Sequence, residues 1–514
     1  MALLRRLKQA RTYQEWLDTA SALDEIYGLN EWRSQPDSPL YNYQNISARL
    51  DALRRGQADD DPLRVCNTIR TGLIRNMVNI AVPGLYDKAF AGTKRLIEQY
   101  AVEQTMAVRY LMGLGTSQSH RSGFTAQAKF DFIRGARQGL GRSTLLLQGG
   151  SVLGTCHIGV VRTLYYERML PRVITGTATG AFVAALICIK TNQELELFLD
   201  GKGIDLAAFE RQRREDKSNL FPILARENGY GWLRSISRQV IRLVDEQYLL
   251  GFDLLRECAR AILGNITFEE AYAKTKRILN ITVAAPRKGG TPNLLNYLTA
   301  PNVLIWSAVM ASNVSLAAKS PVQMWCKSET GQIVLWEQSA DLDLKSWYRF
   351  RCSSKESPLR FLPQLFNVNH FIISQARPFI IPLFREEMHR PGGQIRVRTW
   401  KIFQCLKQLA KIEIRYRLRQ LDALCCLPAF LHRIFLEENI PGSCVVLLPD
   451  ISLWDLTKIF EKPSREGLKY WILKGERGVW PSMNALKVRC VLEMELENAY
   501  QELTRRQDNE LLTW

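Results

Sequence analysis

The chain has 514 residues, 46% of them hydrophobic, and a formal net charge of +18 at pH 7. So many apolar residues, interspersed with charges rather than segregated from them, predict a folded core in about three structural units and exclude a mainly disordered chain. The positive charge favours a polyanionic partner, but no zinc-finger spacing, RNP-like motif or basic heptad accompanies it, so we expect no nucleic-acid partner.

Cysteine usage and the first residues bear on the cellular compartment. The eleven cysteines are scattered without C-x-x-C pairs, which is typical of reduced thiols inside the cell. The opening Met1-Ala-Leu-Leu-Arg-Arg has too short an apolar stretch for a signal peptide, so we expect an intracellular protein that is not secreted. Two uncharged runs, residues 173–189 and 289–318, are candidate membrane spans, but their glycines, threonines, prolines and asparagines favour buried core.

Apolar residues recur at helical spacing through residues 13–141, in segments separated by Pro-Gly and polar turns. This pattern predicts an all-helical first unit. The pattern changes at residues 143–147, a short apolar strand that runs into a glycine-rich turn and then a helix that reaches residue 169. A second strand over 172–175 enters another glycine-bounded turn, and a buried helix is predicted over 181–187.

Further apolar strands are predicted over 281–285, 370–374 and 445–448, and an apolar helix over 304–318. Strands that alternate with helices favour an α/β fold whose ligand sites lie at strand ends. Residues 385–438 are basic, with apolar positions at helical spacing, and the final segment is mostly helical. Such a basic amphipathic stretch is ordinarily a solvated helix face, and membrane contact is the alternative.

The first glycine-rich turn, Gln148-Gly-Gly-Ser-Val-Leu-Gly154, joins a predicted strand to a predicted helix. Backbone N–H groups of such a turn point into one space, and the helix N-terminus adds positive potential, so an oxyanion or phosphate can bind there. The residues concerned are Gly149, Gly150, Ser151 and Gly154. A turn that merely allows close packing is the alternative, and the lack of a following Gly-Lys-Ser/Thr disfavours an NTPase.

The second turn, Thr175-Gly176-Thr177-Ala178-Thr179-Gly180, has the pattern of a nucleophile elbow, in which flanking glycines permit a strained turn that presents the central side chain. That side chain belongs to Ala178, and a methyl group cannot attack a carbonyl carbon. Thr177 and Thr179 flank the centre, but adjacent side chains project in different directions and a hydroxyl nucleophile needs its own base. The residues therefore predict an elbow without a nucleophile.

Ordered matches along nearly the whole chain carry a resemblance to one family. In the first unit they are Arg70-Thr-Gly-Leu-Ile-Arg-Asn76, Gly84-Leu-Tyr86, Thr93-Lys-Arg-Leu-Ile-Glu-Gln-Tyr100 and Gly139-Leu-Gly-Arg-Ser143. Later they are Leu147-Gln-Gly-Gly-Ser-Val-Leu-Gly-Thr-Cys-His-Ile-Gly-Val160, Leu170-Pro-Arg-Val-Ile174, Ile305-Trp-Ser-Ala308, Leu365-Phe-Asn-Val-Asn-His-Phe-Ile372, Tyr470-Trp-Ile-Leu-Lys-Gly-Glu-Arg477 and Trp480-Pro481. The chain resembles the patatin-like phospholipases, specifically the fungal triacylglycerol lipases with an N-terminal helical domain.

The resemblance implies a Ser-Asp dyad without metal or cofactor, with the serine in a G-x-S-x-G elbow and the aspartate in an Asp-Gly pair. It also implies a G-x-G-x-x-G oxyanion loop. Carried over residue by residue, the serine position is Ala178, and Ser151 stands at the middle glycine of the loop. The Asp-Gly pair, located by counting back from Phe366-Asn-Val-Asn, falls at Phe350-Arg351. Both members of the dyad are thus predicted to be replaced.

Other residues are candidates for the missing roles. Asp200-Gly201 is the only Asp-Gly pair after the elbow, but it precedes the later core strands, and we expect a polar turn there. Asp341 and Asp343 lie nearest to the acid position if the local alignment shifts. His157 follows the glycine-rich turn and suggests a Ser-His arrangement, although its simpler role is to pack beneath that turn.

The sequence and the resemblance together predict an α/β, patatin-like three-layer core with a mainly parallel sheet, flanked by helical regions. We expect an N-terminal helical domain over 1–142, the core over 143–384 and a basic, helical C-terminal region over 385–514. The expected function is that of a catalytically impaired member of the lipase family. It would bind an acylglycerol or phospholipid, or a lipase paralogue, as a peripheral protein on lipid droplets or endoplasmic reticulum. The alternative is an active acyl hydrolase with a non-standard nucleophile.

Overall fold

A computed structural model describes residues 2–115, 124–149, 151–200, 252–283, 294–313, 323–336, 358–376, 442–452, 455 and 465–512, together with positions 406, 409–410, 412–414, 416–418, 420–421 and 424. The N-terminal part is helical, as predicted. Its helices are α1 (Ala2–Gln9), α2 (Tyr13–Ile26), α3 (Leu29–Ser34), α4 (Tyr43–Ala58), α5 (Pro62–Arg70), α6 (Arg95–Gly113) and α7 (Ala126–Leu140). Side chains of Thr12, Asn42, Asp61 and Thr125 accept hydrogen bonds from first-turn N–H groups and so fix where α2, α4, α5 and α7 begin.

The central sheet has six strands in the order β4-β3-β2-β1-β7-β8, and all neighbours are parallel except β3 and β4. These strands are β1 (Arg142–Gln148), β2 (Val173–Thr177), β3 (Ile278–Thr282), β4 (Leu294–Leu295), β7 (Val368–Gln375) and β8 (Ser443–Leu447). A separate antiparallel hairpin pairs β5 (Trp325–Lys327) with β6 (Ile333–Leu335). Leu145 and Leu147 belong to one buried cluster and Leu146 to another, so side chains cover both faces of β1.

Helices supply those covering layers. They are α8 (Cys156–Tyr166), α9 (Thr179–Ile189), α10 (Asn192–Leu199), α11 (Phe252–Leu263), α12 (Phe268–Thr275), α13 (Ile305–Asn313), α14 (Phe361–Phe366), α15 (Arg465–Val479) and α16 (Met483–Leu512). The larger cluster combines α8, α9, α12, α13 and α15, and the smaller one, on the opposite face, includes α14. This is the α/β architecture that the sequence predicts, with helical regions before and after a mainly parallel sheet.

The sheet confirms most predicted elements, with one displaced strand. The strand predicted over 281–285 lies at β3, three residues earlier, because a buried Asn280 occupies the strand where the apolar pattern breaks. Asn296 Nδ2 donates to Asn280 Oδ1 at 3.1 Å, which satisfies the amide oxygen, while Asn280 Nδ2 is buried without a partner among the described residues. The helix predicted over 304–318 is described as α13, and residues 314–318 lie outside the described residues.

The uncharged run at 173–189 comprises β2, the following turn and α9, which are mostly buried. Residues 289–293 and 314–318 of the second uncharged run lie outside the described part of the chain. Across the helices that the structure describes, none combines the length and hydropathy that a membrane span requires.

The C-terminal helices connect the N-terminal part with the sheet. Helix α15 crosses α8 so closely that a Cβ on Gly159 would overlap the Ile472 carbonyl oxygen, and a Cβ on Gly475 would overlap that of Cys156. Helix α16 then packs against α6 and α7. Its residues Leu492 and Leu496 are buried in the same apolar cluster as residues of α4 to α7.

A buried polar junction joins three parts of the chain beneath the amino end of β1. Glu493 of α16 accepts from Arg75 Nη1 at 2.9 Å and from the Ser143 N–H at 2.6 Å. The Ser143 hydroxyl also donates to Glu493 and lies 3.0 Å from Nδ1 of the buried His370 in β7. Arg75 further donates to the Gly141 carbonyl oxygen at 2.9 Å. The junction therefore links the N-terminal part, the sheet and α16.

Candidate functional site

The glycine-bounded turn between β2 and α9 lies at the carboxyl edge of the sheet. Ala178 stands at its centre with φ of 56° and ψ of −127°. A residue with a Cβ adopts this conformation at a cost of about 1–3 kcal/mol, and such a turn presents its central side chain outward between strand and helix. The turn therefore has the geometry of a nucleophile elbow, with a methyl group at the presenting position.

The two glycines of the elbow are required by close packing. A Cβ on Gly176 would overlap the backbone of Ala181, and a Cβ on Gly180 would overlap the Leu147 carbonyl oxygen in β1. Without side chains at these two positions, α9 can begin directly against the ends of β1 and β2. Sequence analysis placed both glycines at the elbow, and the structure gives the contact that each one permits.

Ser312 and Asn313, the last residues of α13, hold the backbone of Ala178 on both sides. The Ala178 N–H donates to Ser312 Oγ at 3.0 Å, and Asn313 Nδ2 donates to the Ala178 carbonyl oxygen at 3.0 Å. Asn313 Nδ2 also donates to the Val309 carbonyl oxygen at 2.8 Å, so both amide hydrogens are engaged. These bonds stabilise the strained turn from a helix that is more than a hundred residues distant in sequence.

The threonines beside Ala178 make separate contacts. Thr177 Oγ1 lies 2.8 Å from Thr282 Oγ1, at the end of the neighbouring strand β3. Thr179 packs against the glycine-rich turn, where a Cβ on Gly154 would lie 3.1 Å from Thr179 Cβ. Neither contact supplies the base that a hydroxyl nucleophile needs.

The glycine-rich turn follows β1 and lies next to the elbow. Gly149 has a φ of 66°, which favours glycine, and its N–H donates to the Thr177 carbonyl oxygen at 3.2 Å. Ser151 begins a short 3₁₀ turn, Ser151–Thr155, that contains Gly154 and leads into α8, while Gly150 lies outside the described residues. The N-terminus of α9 has no side-chain cap, because Ala178 has no oxygen to supply. The Ala181 N–H donates to the Ala178 carbonyl oxygen at 2.9 Å. The positive end of α9 at this edge favours a ligand oxygen.

His157 supports the glycine-rich turn from below. Its Nε2 lies 3.1 Å from the Gly149 carbonyl oxygen, which can only accept, so the hydrogen is assigned to Nε2. Nδ1 then accepts from the Ser374 hydroxyl at 2.7 Å. Complete burial lowers the pKa of His157 to about 4, so the imidazole is neutral at pH 7. Nε2 is hydrogen-bonded to the glycine-rich turn and Nδ1 to Ser374 of β7. Neither nitrogen is therefore free to act as a base at the elbow.

Among the described residues, none of the candidates for the acid lies at the elbow. Phe350, Arg351, Asp341 and Asp343 lie outside the described residues. Asp200 caps the end of α10 and accepts from the Tyr166 hydroxyl at 2.7 Å. Tyr166 ends α8, and since α8 begins at the glycine-rich turn, an 11-residue helix places Asp200 on the order of 15 Å from that turn.

Sequence reasoning missed Ser312 and Asn313. Both fall in a run predicted only as an apolar helix, and neither has a spacing to the elbow that a motif could reveal. Their role depends on where α13 ends relative to β2, which is a property of the tertiary structure.

Comparison with known proteins adds to this geometry. Residues 1–138 match a domain of unknown function (DUF3336), and residues 145–325 match the patatin-like phospholipase model. The chain is 31% identical to triacylglycerol lipase ptl1 of Schizosaccharomyces pombe, over 97% of this chain and 84% of that protein. It is 32% identical to triacylglycerol lipase 5 of Saccharomyces cerevisiae and 30% identical to triacylglycerol lipase SDP1L of Arabidopsis thaliana, over 96% of this chain in both cases. It spans 64% and 57% of those two proteins. The chain therefore belongs to the patatin-like triacylglycerol lipase family.

Proposed function

We propose that this protein binds acyl lipids as a family member with impaired hydrolysis. The observation that carries the proposal is Ala178, whose methyl group occupies the position that the elbow presents. Acyl transfer through an elbow needs an activated nucleophile, and a methyl group supplies none. The uncapped N-terminus of α9 and the glycine-rich turn remain suited to binding a carbonyl or hydroxyl oxygen.

The proposal includes peripheral association with a lipid droplet or endoplasmic-reticulum surface, where a lipase paralogue is the candidate protein partner. The described positions between 406 and 424 support this part, because large apolar side chains among them are exposed. The exposed residues are Leu406, Leu409, Ile412, Ile414, Tyr416, Leu421 and Leu424. Clustered exposed apolar residues on a basic helix are typical of segments that lie in a membrane interface.

The second candidate function is acyl hydrolysis through a different nucleophile. Ser312 favours it, because its Oγ accepts a hydrogen bond from the Ala178 backbone N–H at 3.0 Å and so lies directly beside the elbow. No described side chain contacts Ser312 as a base, which is why we place this candidate second. Its proton would have to pass to a base from another part of the chain.

One experiment separates the two candidates. Purified protein is incubated with a long-chain triacylglycerol and with a lysophospholipid, and released fatty acid is compared with a matched blank. We expect no turnover, and no labelling by a fluorophosphonate probe, because no base contacts a serine at the elbow among the described residues. The Ala178→Ser variant serves as a control and should also remain nearly inactive without an acid to orient it. Turnover or labelling that disappears in Ser312→Ala would establish the second candidate instead.

A further inference from the structure

Within the described part of the chain, the end of α13 beside the elbow has a hydroxyl donor and a buried amide acceptor that lack partners. Ser312 Oγ accepts from the Ala178 N–H, and no described residue accepts the hydroxyl hydrogen of Ser312. Asn313 Oδ1 is buried and has no hydrogen-bond partner within the described structure. The amide orientation is fixed, since Nδ2 already donates to two carbonyl oxygens. Exchanging Nδ2 and Oδ1 would place Oδ1 against the carbonyl oxygens of Ala178 and Val309, and neither of these can donate a hydrogen bond.

The unpartnered Asn313 oxygen points to a ligand with a hydrogen to donate. A buried acceptor left unsatisfied costs about 1–3 kcal/mol, and this one adjoins the strained residue of the elbow. Asn313 is only 1% exposed, so bulk water does not satisfy the oxygen. The adjacent Ser312 hydroxyl and the uncapped N-terminus of α9 both favour an oxygen of the same ligand.

Building on the proposed function, we propose that the elbow selects an acylglycerol that carries a free hydroxyl group. The ligand hydroxyl donates to Asn313 Oδ1, and the ligand's ester carbonyl oxygen accepts from the Ser312 hydroxyl. A mono- or diacylglycerol has both groups. A triacylglycerol has ester carbonyls but no hydroxyl, so it would leave Asn313 Oδ1 unsatisfied. A site with a buried polar group discriminates strongly against an analogue that lacks the matching group.

The test compares three ligands that differ at one oxygen. The full-length protein is loaded with a fluorescent monoacylglycerol, which is displaced by dioctanoylglycerol, by its O-methyl ether, or by trioctanoylglycerol. We expect the ether and the triester to displace about tenfold less effectively than the free alcohol, the ratio that one unsatisfied hydrogen bond of about 1.4 kcal/mol produces. Equal displacement by all three would overturn the proposal, and this comparison needs no variant.

Variants locate the discrimination. Ser312→Ala should reduce affinity for all three ligands, and Asn313→Leu should abolish the preference for the free alcohol. Ser307→Ala is the matched control, because Ser307 is a buried serine at the other end of α13 that donates to the Leu304 carbonyl oxygen. A preference that survives Asn313→Leu in folded protein would overturn the assignment of Asn313.

Failure of this inference is distinguishable from failure of the proposed function. Release of fatty acid from dioctanoylglycerol would refute impaired hydrolysis, whatever the binding preference. Binding of all three ligands with equal affinity and without turnover would refute the selectivity and leave lipid binding in place.

Discussion

Ala178 combines a strained backbone with a side chain that has no polar group. Its φ of 56° lies in the region that favours glycine, and hydrogen bonds from two residues of α13 hold it there. The resemblance to patatin-like lipases predicts a nucleophile at this position, which would explain a cost in strain. Under the proposed function, this chain bears the cost in strain without a nucleophile.

Ala178→Gly should therefore stabilise the fold. Relief of strain outweighs the greater freedom of glycine in the unfolded chain, so we expect a gain of about 1 kcal/mol in the free energy of unfolding, measured by urea titration. Ala181→Gly is the matched control, since Ala181 is buried within α9 and should lose stability on the same change. A less stable Ala178→Gly protein would show that the elbow is not strained.

His157 should make stability depend on pH. Burial lowers its pKa to about 4, below the ordinary value of about 6.5, so the unfolded chain takes up a proton that the folded protein excludes. The resulting stability is fully present above pH 6.5 and is lost as the pH falls towards 4. His370 is also buried, and burial lowers its pKa in the same direction.

We expect the loss in unfolding free energy between pH 7 and pH 5 to be about 2 kcal/mol smaller in His157→Gln than in the unaltered protein. Urea titrations at the two pH values measure it. Ser374→Ala is the control, because it removes a hydrogen-bond partner of His157 but leaves the titrating ring. Parallel pH profiles for His157→Gln and the unaltered protein would contradict the prediction.

The described positions between 406 and 424 include apolar side chains whose exposure favours a partner surface. Leu409 and Ile412 are 62% and 63% exposed, and the sequence repeats basic residues at Lys411, Arg415 and Arg419. Residues four apart share a helix face, so this spacing predicts one basic stripe beside apolar side chains. An anionic lipid surface matches both properties.

Flotation with anionic liposomes tests this element. Changing Arg415, Arg417 and Arg419 to Gln should weaken association by about 1 kcal/mol per charge, and added salt should weaken it further. Leu409→Ser with Ile412→Ser should weaken it independently of salt. Leu197→Ser is the matched control, because Leu197 is 56% exposed and belongs to α10 rather than to residues 406–424. Unchanged flotation of both sets would remove the stretch from the proposed surface.

Local pattern was enough to predict the elements around the elbow. The run from Leu145 to Leu147 is apolar, and glycines follow it directly after Gln148. The second strand and α9 have a similar arrangement, so the pattern predicts the bounds of β1, β2 and α9 within two residues. The shift of β3 shows where pattern fails, since Asn280 is a poor strand former that a partner from another element accommodates. The hydrogen bonds between the Ala178 backbone and the side chains of Ser312 and Asn313 depend on tertiary packing. No spacing of residues in the sequence predicts them.

At the scale of the whole molecule, the buried ion pair between Arg75 and Glu493 joins the N-terminal part to α16. Arg75 and Glu493 have side chains 9% and 10% exposed, with N and O 2.9 Å apart. Removing one partner leaves the other charge buried without compensation, which typically costs 3–5 kcal/mol. Removing both charges costs less than the sum of the single changes.

Arg75→Met should therefore lower the free energy of unfolding by about 3 kcal/mol or more, and Glu493→Gln in the same chain should recover part of the loss. Urea titrations of both single variants and the double variant measure the coupling. Arg134→Met is the control, since Arg134 pairs with Asp131 at the surface and should cost under about 1 kcal/mol. Additive losses would show that the two side chains act independently.

The contribution of α16 to the N-terminal core also sets an order of events during synthesis. Helix α6 ends at Gly113, but its apolar face is completed by residues of α16 such as Leu492 and Leu496. At elongation rates of about 5–20 residues per second, those residues leave the ribosome roughly 20–80 s after α6 does. During that interval the nascent N-terminal part exposes the apolar surface that α16 later buries. We therefore expect another molecule to cover this surface until α16 has been synthesised.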